Sequence, residues 1–246
     1  MNACLNCANQ FDGKFCNECG QKAATHRFTI HEWLHEIPHS ILHVDGGFFH
    51  TFKNLCRRPG NMIREYLDGQ RKSYFSPFLY VLIWCGIFVI FTSLFAKPTG
   101  EEAEIKDFLA AYVYLQTKYY KPFIVAMILP MSLASLLVFW RSGYYFAEHL
   151  VLNTFIIAQM ILGDIIVFLI LASPYASQSK PLIPILDILL KYPFWIWAYW
   201  QFFKPSNRLL GAAQTIAAIV VGVLFTGAMS LGIAYIFFLA KTGGHR

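Results

Sequence analysis

Four cysteines near the N-terminus carry the most specific chemistry in the chain. Cys4, Cys7, Cys16 and Cys19 read C-x2-C-x8-C-x2-C, two paired knuckles whose spacing lets four thiolates converge on one ion. Four thiolates without a histidine leave no position for a reacting water, so the expected cofactor is a structural Zn2+. Gly13 and Gly20 supply the turn residues such knuckles need. A segment of about twenty residues cannot bury a core alone, so the metal would supply the folding free energy of a zinc ribbon over residues 1–25. Two disulfides are one alternative, disfavoured in a reducing cytoplasm. A redox C-x-x-C is another, and it normally sits at a helix start in a strand-helix context missing here.

Six of the eight histidines fall between His26 and His50. Thr29 and Glu32 form a capping-box pattern, so a helix is expected from about Ile30, kinked at Pro38. On it His31, His35, His39 and His43 recur every four residues beside an apolar stripe of Trp33, Ile37 and Ile41. An amphipathic helix at the membrane surface is the expectation; a histidine metal or proton-sensing site is the alternative. Asp45 can cap a second helix through Phe52, closed by Arg57 to Gly60, and a third is expected from Asn61 to Asp68, stopping at Gly69.

The elements that must carry these groups are set by composition. The chain is 57% hydrophobic and 14% charged, whereas a soluble domain has about 25% charged residues. Too little polarity is present to coat a soluble globule, and lipid must replace it. The fold class expected is an all-α integral membrane protein of about five transmembrane helices behind a small Cys4 ribbon. The spans fall near 78–96, 122–140, 146–171, 181–203 and 211–240, within a membrane domain over 76–246. Residues 26–75 are expected as cytoplasmic interfacial helices. No signal-peptide pattern opens the chain, and nine of the 20 Lys and Arg lie in residues 1–76, so the N-terminus is expected inside and the C-terminus outside a bacterial inner membrane. A re-entrant fourth segment, giving four spans, is the rival topology.

Lys53, Arg57, Arg58, Arg64, Arg71 and Lys72 precede the first span, where they suit anionic lipid head groups; a nucleic acid is the disfavoured partner. At membrane depth ionisable groups are costly and become functional candidates. His149, Asn153 and Asp164 fall within about 60° on one helix, with Glu148 about 100° away near the interface. Asp187 and Lys191 form an i,i+4 pair. A polar path between spans three and four is one reading of these groups, and a satisfied interhelical network the other. On the fifth span Ala218, Gly222, Thr226 and Ser230 form a small-residue stripe for a close helix contact, intramolecular or in a homo-oligomer. Cys56 and Cys85 are expected as packing thiols.

Several blocks resemble a known family. Phe15 to Gln21, Asp45-Gly46-Gly47-Phe48-Phe49-His50-Thr51-Phe52, Arg58-Pro59-Gly60, Ile63 to Arg71, Tyr74-Phe75-Ser76-Pro77-Phe78 and Phe146 to Val151 are similar to those of the bacterial DUF3667 family. The resemblance covers residues 1 to about 85 and implies an N-terminal zinc ribbon ahead of a helical membrane region. Where that family often continues the last block with a histidine and aromatics, this chain has Leu152-Asn153-Thr154-Phe155.

No nucleophile elbow, HExxH, P-loop or dinucleotide fingerprint occurs, so the chain is not expected to be an enzyme. The leading expectation is a membrane regulator or scaffold that binds a cytoplasmic protein through the ribbon. A pore or transporter is the rival, and a membrane accessory of a CRISPR-type antiviral system is a third reading, by analogy alone.

Overall fold

A computed structural model describes residues 2–23, 29, 47–95, 107–172 and 182–243. The helix expected from Ile30 with His31, His35, His39 and His43 lies outside the described residues, as do His26, the Asp45 cap, the loop from Lys97 to Lys106, Lys180 and residues 244–246.

The N-terminal segment folds as two small turns of ribbon. β1 (Asn2–Ala3) pairs antiparallel with β2 (Gln10–Phe11), Asn2 opposite Phe11 and Ala3 opposite Gln10, and Phe15 bridges Lys22. Its buried core is only Cys4, Phe11 and Cys16.

Helices make up nearly all the rest. α1 (Gly47–Arg57) leads into α2 (Pro59–Leu67), which starts two residues earlier than expected. Pro59 takes the first helical position, where its missing N–H costs nothing, so Pro-Gly opens this helix instead of merely ending the one before. Gly69, at φ 110°, reverses the chain after it. α3 (Pro77–Phe95), α4 (Phe108–Lys118), α5 (Tyr120–Ala126), α6 (Ile128–Val138), α7 (Phe146–Ala172), α8 (Ile183–Phe203) and α9 (Arg208–Gly243) follow. The Asp107 side chain caps α4 by accepting from the Ala110 N–H at 2.7 Å, and Asn207 caps α9 by accepting from Leu209 and Leu210.

Among the described residues three helices are long and apolar enough to cross a membrane: α3, α7 and α9. The expected second span is a shorter apolar segment, Pro122–Val138, broken at Met127 between α5 and α6. The expected fourth, α8, carries Asp187, Lys191 and Pro193 inside it. Apolar helices thus fall near each expected span, but among the described residues three of the five have both the length and the composition a bilayer demands.

α7 is the central helix, contacted by α2, α3, α6 and α8. In its apolar window 67% of residues are buried, against 33% in α3 and 22% in α9, so α7 faces protein while most of α9 lies uncovered. The small-residue stripe of α9 is used within the chain: a Cβ on Gly222 would fall 2.3 Å from Met131 Sδ of α6, and Ala218 and Ser230 are buried.

α1 and α2 join the same hydrophobic core as the long helices, through Leu55, Met62, Ile63, Tyr66 and Leu67. Tyr66 meets Phe155 edge to face at 5.6 Å, and Phe48 and Phe52 pack on Trp84. The closest approach is at Gly60, where a Cβ would sit 2.3 Å from both the Ala198 carbonyl oxygen and the Phe202 amide nitrogen. Both are backbone atoms of α8, so no rotamer change can make room. Gly60→Ala is expected to cost about 2–3 kcal/mol, seen as a Tm about 5–10 °C lower in mild detergent.

Candidate metal centre

The four expected ligands converge. Their Sγ atoms all lie within 4.8 Å of one another, with Cys4 to Cys19 at 3.5 Å and Cys7 to Cys16 at 3.6 Å. A tetrahedral ion with metal–sulfur bonds of about 2.3 Å needs sulfurs about 3.8 Å apart. The cluster matches that spacing, and no described cysteine is in a disulfide.

Two local repeats bring the sulfurs together. The Ala8 N–H donates to the Cys4 carbonyl and the Gly20 N–H to the Cys16 carbonyl, each at 2.9 Å. Each of these donors has positive φ, 60° at Ala8 and 73° at Gly20. The first knuckle therefore holds an alanine where the second has glycine.

Electrostatics favour a cation in the cluster. The backbone N–H of Cys19, helped by that of Glu18, pulls the Cys16 thiol down to about 6. Cys7, although Asn9 donates an N–H to it, is pushed up to about 12 by burial and by the sulfurs of Cys16, Cys19 and Cys4. Four crowded sulfurs cannot all ionise alone, and a dication would hold all four as thiolates. The residues present therefore fit one metal ion.

The ribbon is tied to the rest of the chain by amide side chains. Gln21 Nε2 donates to the Gly69 carbonyl at 2.7 Å, and Gln21 Oε1 accepts from the Lys72 N–H at 3.4 Å. Asn6, inside the first knuckle, accepts from the Ser73 N–H at 3.1 Å. Both knuckles thus grip one segment, residues 69–73, just ahead of α3. Asn6 and Gln21 stand beside the cysteines in sequence, yet spacing alone does not signal their partners.

That segment is held from its other side by α1 and α2. His50 Nδ1 lies 3.0 Å from the Ser73 carbonyl and its ring stacks on Tyr74 at 5.2 Å, while Thr51 Oγ1 accepts from the Phe75 N–H at 2.7 Å. Arg58 pairs with Glu65, donates to Asn54 at 2.9 Å and reaches the Tyr74 hydroxyl at 3.2 Å. Tyr74 donates in turn to Glu65 at 2.5 Å, and burial pushes its hydroxyl pKa up. Of the basic residues expected at lipid head groups, Arg58 is thus committed to this network and Arg64 and Arg71 are half-buried. Lys53, Arg57 and Lys72 are exposed.

The polar stripe expected on α7 divides into two clusters. His149 and Asn153, both fully buried, join Ser135 of α6 and Tyr199 of α8. His149 Nδ1 is 2.9 Å from Ser135 Oγ, Asn153 Nδ2 donates to Ser135 at 3.1 Å, and Tyr199 donates to Asn153 Oδ1 at 2.7 Å. Asp164 lies eleven residues, about 16 Å, further along α7. There Lys191 Nζ sits between Asp164 at 2.5 Å and Asp187 at 2.6 Å. Glu148 is buried at the start of α7, its carboxylate accepting the Tyr145 N–H at 2.6 Å as a cap on that helix. Ser135 and Tyr199 escaped the sequence reading because a lone hydroxyl on an apolar helix has no pattern. The same holds for Gln159, which accepts from the Tyr80 hydroxyl at 2.9 Å and donates to Cys56 Sγ at 3.2 Å.

A helical protein with membrane-type spans and a four-cysteine cluster able to bind a metal is the class these features define. Within it, this chain carries the segment of one family: residues 45–89, from the start of α1 through much of α3, match DUF3667, described as a protein of unknown function. The match covers His50, Thr51, Arg58 and Glu65, which hold the 73–75 segment from the helical side, and does not extend to the four cysteines. No curated protein and no solved structure matches the chain.

Proposed function

We propose that this chain is a non-enzymatic, multi-pass protein of a bacterial inner membrane whose ribbon, built on a structural Zn2+ at Cys4, Cys7, Cys16 and Cys19, is a docking or sensing module. The helical bundle anchors it, with the N-terminus in the cytoplasm and the C-terminus outside. The observation that carries this reading is the grip of Asn6 and Gln21 on residues 69–73. Through it, whatever alters the ribbon reaches the start of α3. Leu5 and Phe15, 51% and 56% exposed on the ribbon, offer apolar contacts to a soluble protein partner. Exposed Lys53, Arg57 and Lys72 contact anionic lipid head groups.

Crosslinking of the full chain in native membranes tests the reading: a soluble protein is captured through residues 1–75 and lost in a Leu5→Asp/Phe15→Asp variant. Ion flux in liposomes that depends on Asp164, with no such capture, overturns it. The grip has its own test. Gln21→Leu is expected to keep about one metal per chain while amide hydrogen exchange at Lys72 speeds about fivefold or more, one hydrogen bond's worth of protection.

A further inference from the structure

At the ribbon-side end of the bundle, α6, α8 and α9 line a half-open pocket of about 190 Å³ between the Trp140–Ser142 turn and the link from α8 to α9. Its lining includes Trp140, Arg141, Ser142, Phe203, Pro205 and Gln214. The end of α8 lies beside α2, since Gly60 packs on Ala198 and Phe202. Pro205 is seated against Gly211, where a Cβ would fall 2.2 Å from its ring, so the wall formed by the α8–α9 link has a fixed shape.

Of the donors lining this pocket, Arg141 and Ser142 are exposed and Gln214 is half-buried. Among the described residues the Arg141 guanidinium, the Ser142 hydroxyl and the Gln214 amide make no side-chain hydrogen bond, and Arg141 only rests on the Trp140 ring at 4.7 Å. Lys204, between two lining residues, and Arg208, at the start of α9, add positive charge, and neither has a carboxylate partner among the described residues. The only buried acid close in sequence, Glu148, is turned to the α7 cap.

Depth selects the ligand. Trp140 is 68% and Tyr145 60% exposed at the helix ends, the placement of an interfacial aromatic belt, and Leu209, 85% exposed, marks where α9 begins to meet lipid. A planar guanidinium flanked by two neutral donors suits phosphate oxygens, and the apolar walls suit the glycerol and first methylenes behind them. We propose that this pocket is a specific site for the phosphate of an anionic phospholipid in the leaflet facing the ribbon. Arg141 makes the charge-assisted contact, and Ser142 and Gln214 complete the set.

Thermal unfolding of the full chain in mild detergent, titrated with dioctanoyl phosphatidylglycerol, tests this. The lipid is expected to raise the Tm saturably, dioctanoyl phosphatidylcholine to do so far less, and inorganic phosphate not at all. Arg141→Gln should weaken the phosphatidylglycerol response at least tenfold and Gln214→Leu several-fold, while Lys14→Gln, an exposed cation on the ribbon, leaves it unchanged. Wild-type affinity in both Arg141→Gln and Gln214→Leu overturns the proposal. So does an equal response to phosphatidylcholine, and a full response to inorganic phosphate alone overturns the lipid as the source. Should Arg141→Gln fail to fold, Gln214→Leu decides.

Discussion

A Cys4→Ser/Cys19→Ser chain is expected to lose its bound metal and the fold of residues 2–23 while keeping its helices. Among the described residues the ribbon's apolar core is Cys4, Phe11 and Cys16, too small to offset the entropy of ordering some twenty residues. A structural zinc site contributes about 10–16 kcal/mol at neutral pH in small ribbons of this kind, so removing two of four ligands leaves nothing comparable. The bundle has a separate core, joined to the ribbon by the hydrogen bonds of Asn6 and Gln21, and it should stay folded. Metal analysis should fall from about one ion per chain to near zero, amide protection should vanish across residues 2–23, and the helical circular dichroism should persist. Native protection in the ribbon of the double variant would sink the metal assignment.

Lys191→Met should be the most damaging single change in the bundle. Lys191 balances two carboxylates at once, and Asp164, whose side chain is 8% exposed, has little water to turn to when the ammonium is gone. Breaking a buried pair from one side costs about 3–5 kcal/mol because it strands the other charge. A Tm loss of about 10 °C in mild detergent is the expected reading. Adding Asp164→Asn should restore most of it, since the more deeply buried of the two stranded charges is then removed, Asp187 being 35% exposed. A Lys191→Met protein as stable as wild type would show that this cluster is hydrated. The stretch between Asn153 and Asp164 also bears on transport: Ile156, Ile157 and Ile161 are buried in it, and its buried Gln159 is turned to Tyr80 and Cys56, so the two polar clusters are separate.

Local pattern carried much of this architecture. Two C-x2-C pairs bring four sulfurs together because ligand spacing within a knuckle is a matter of a few backbone dihedrals. Apolar runs located the long helices because a bilayer demands length and composition together. The Asp187–Lys191 pair was visible for the same reason, a four-residue step being one helical turn.

Partners from distant elements were not visible in that way. Helical periodicity put His149, Asn153 and Asp164 on one face, yet only packing assigned the first two to Ser135 and Tyr199 and the third to Lys191. Arg58 looked like one more cation for lipid until Glu65 and Tyr74 closed around it. Gln21 and Gly69 are 48 residues apart, and no pattern in either segment names the other. Spacing along a chain determines which side chains share a face or an ion; which of them end up satisfied, and which donors are left open at Arg141, depends on the helices that close over them, because a polar group is paid for or left unpaired only by its neighbours in space.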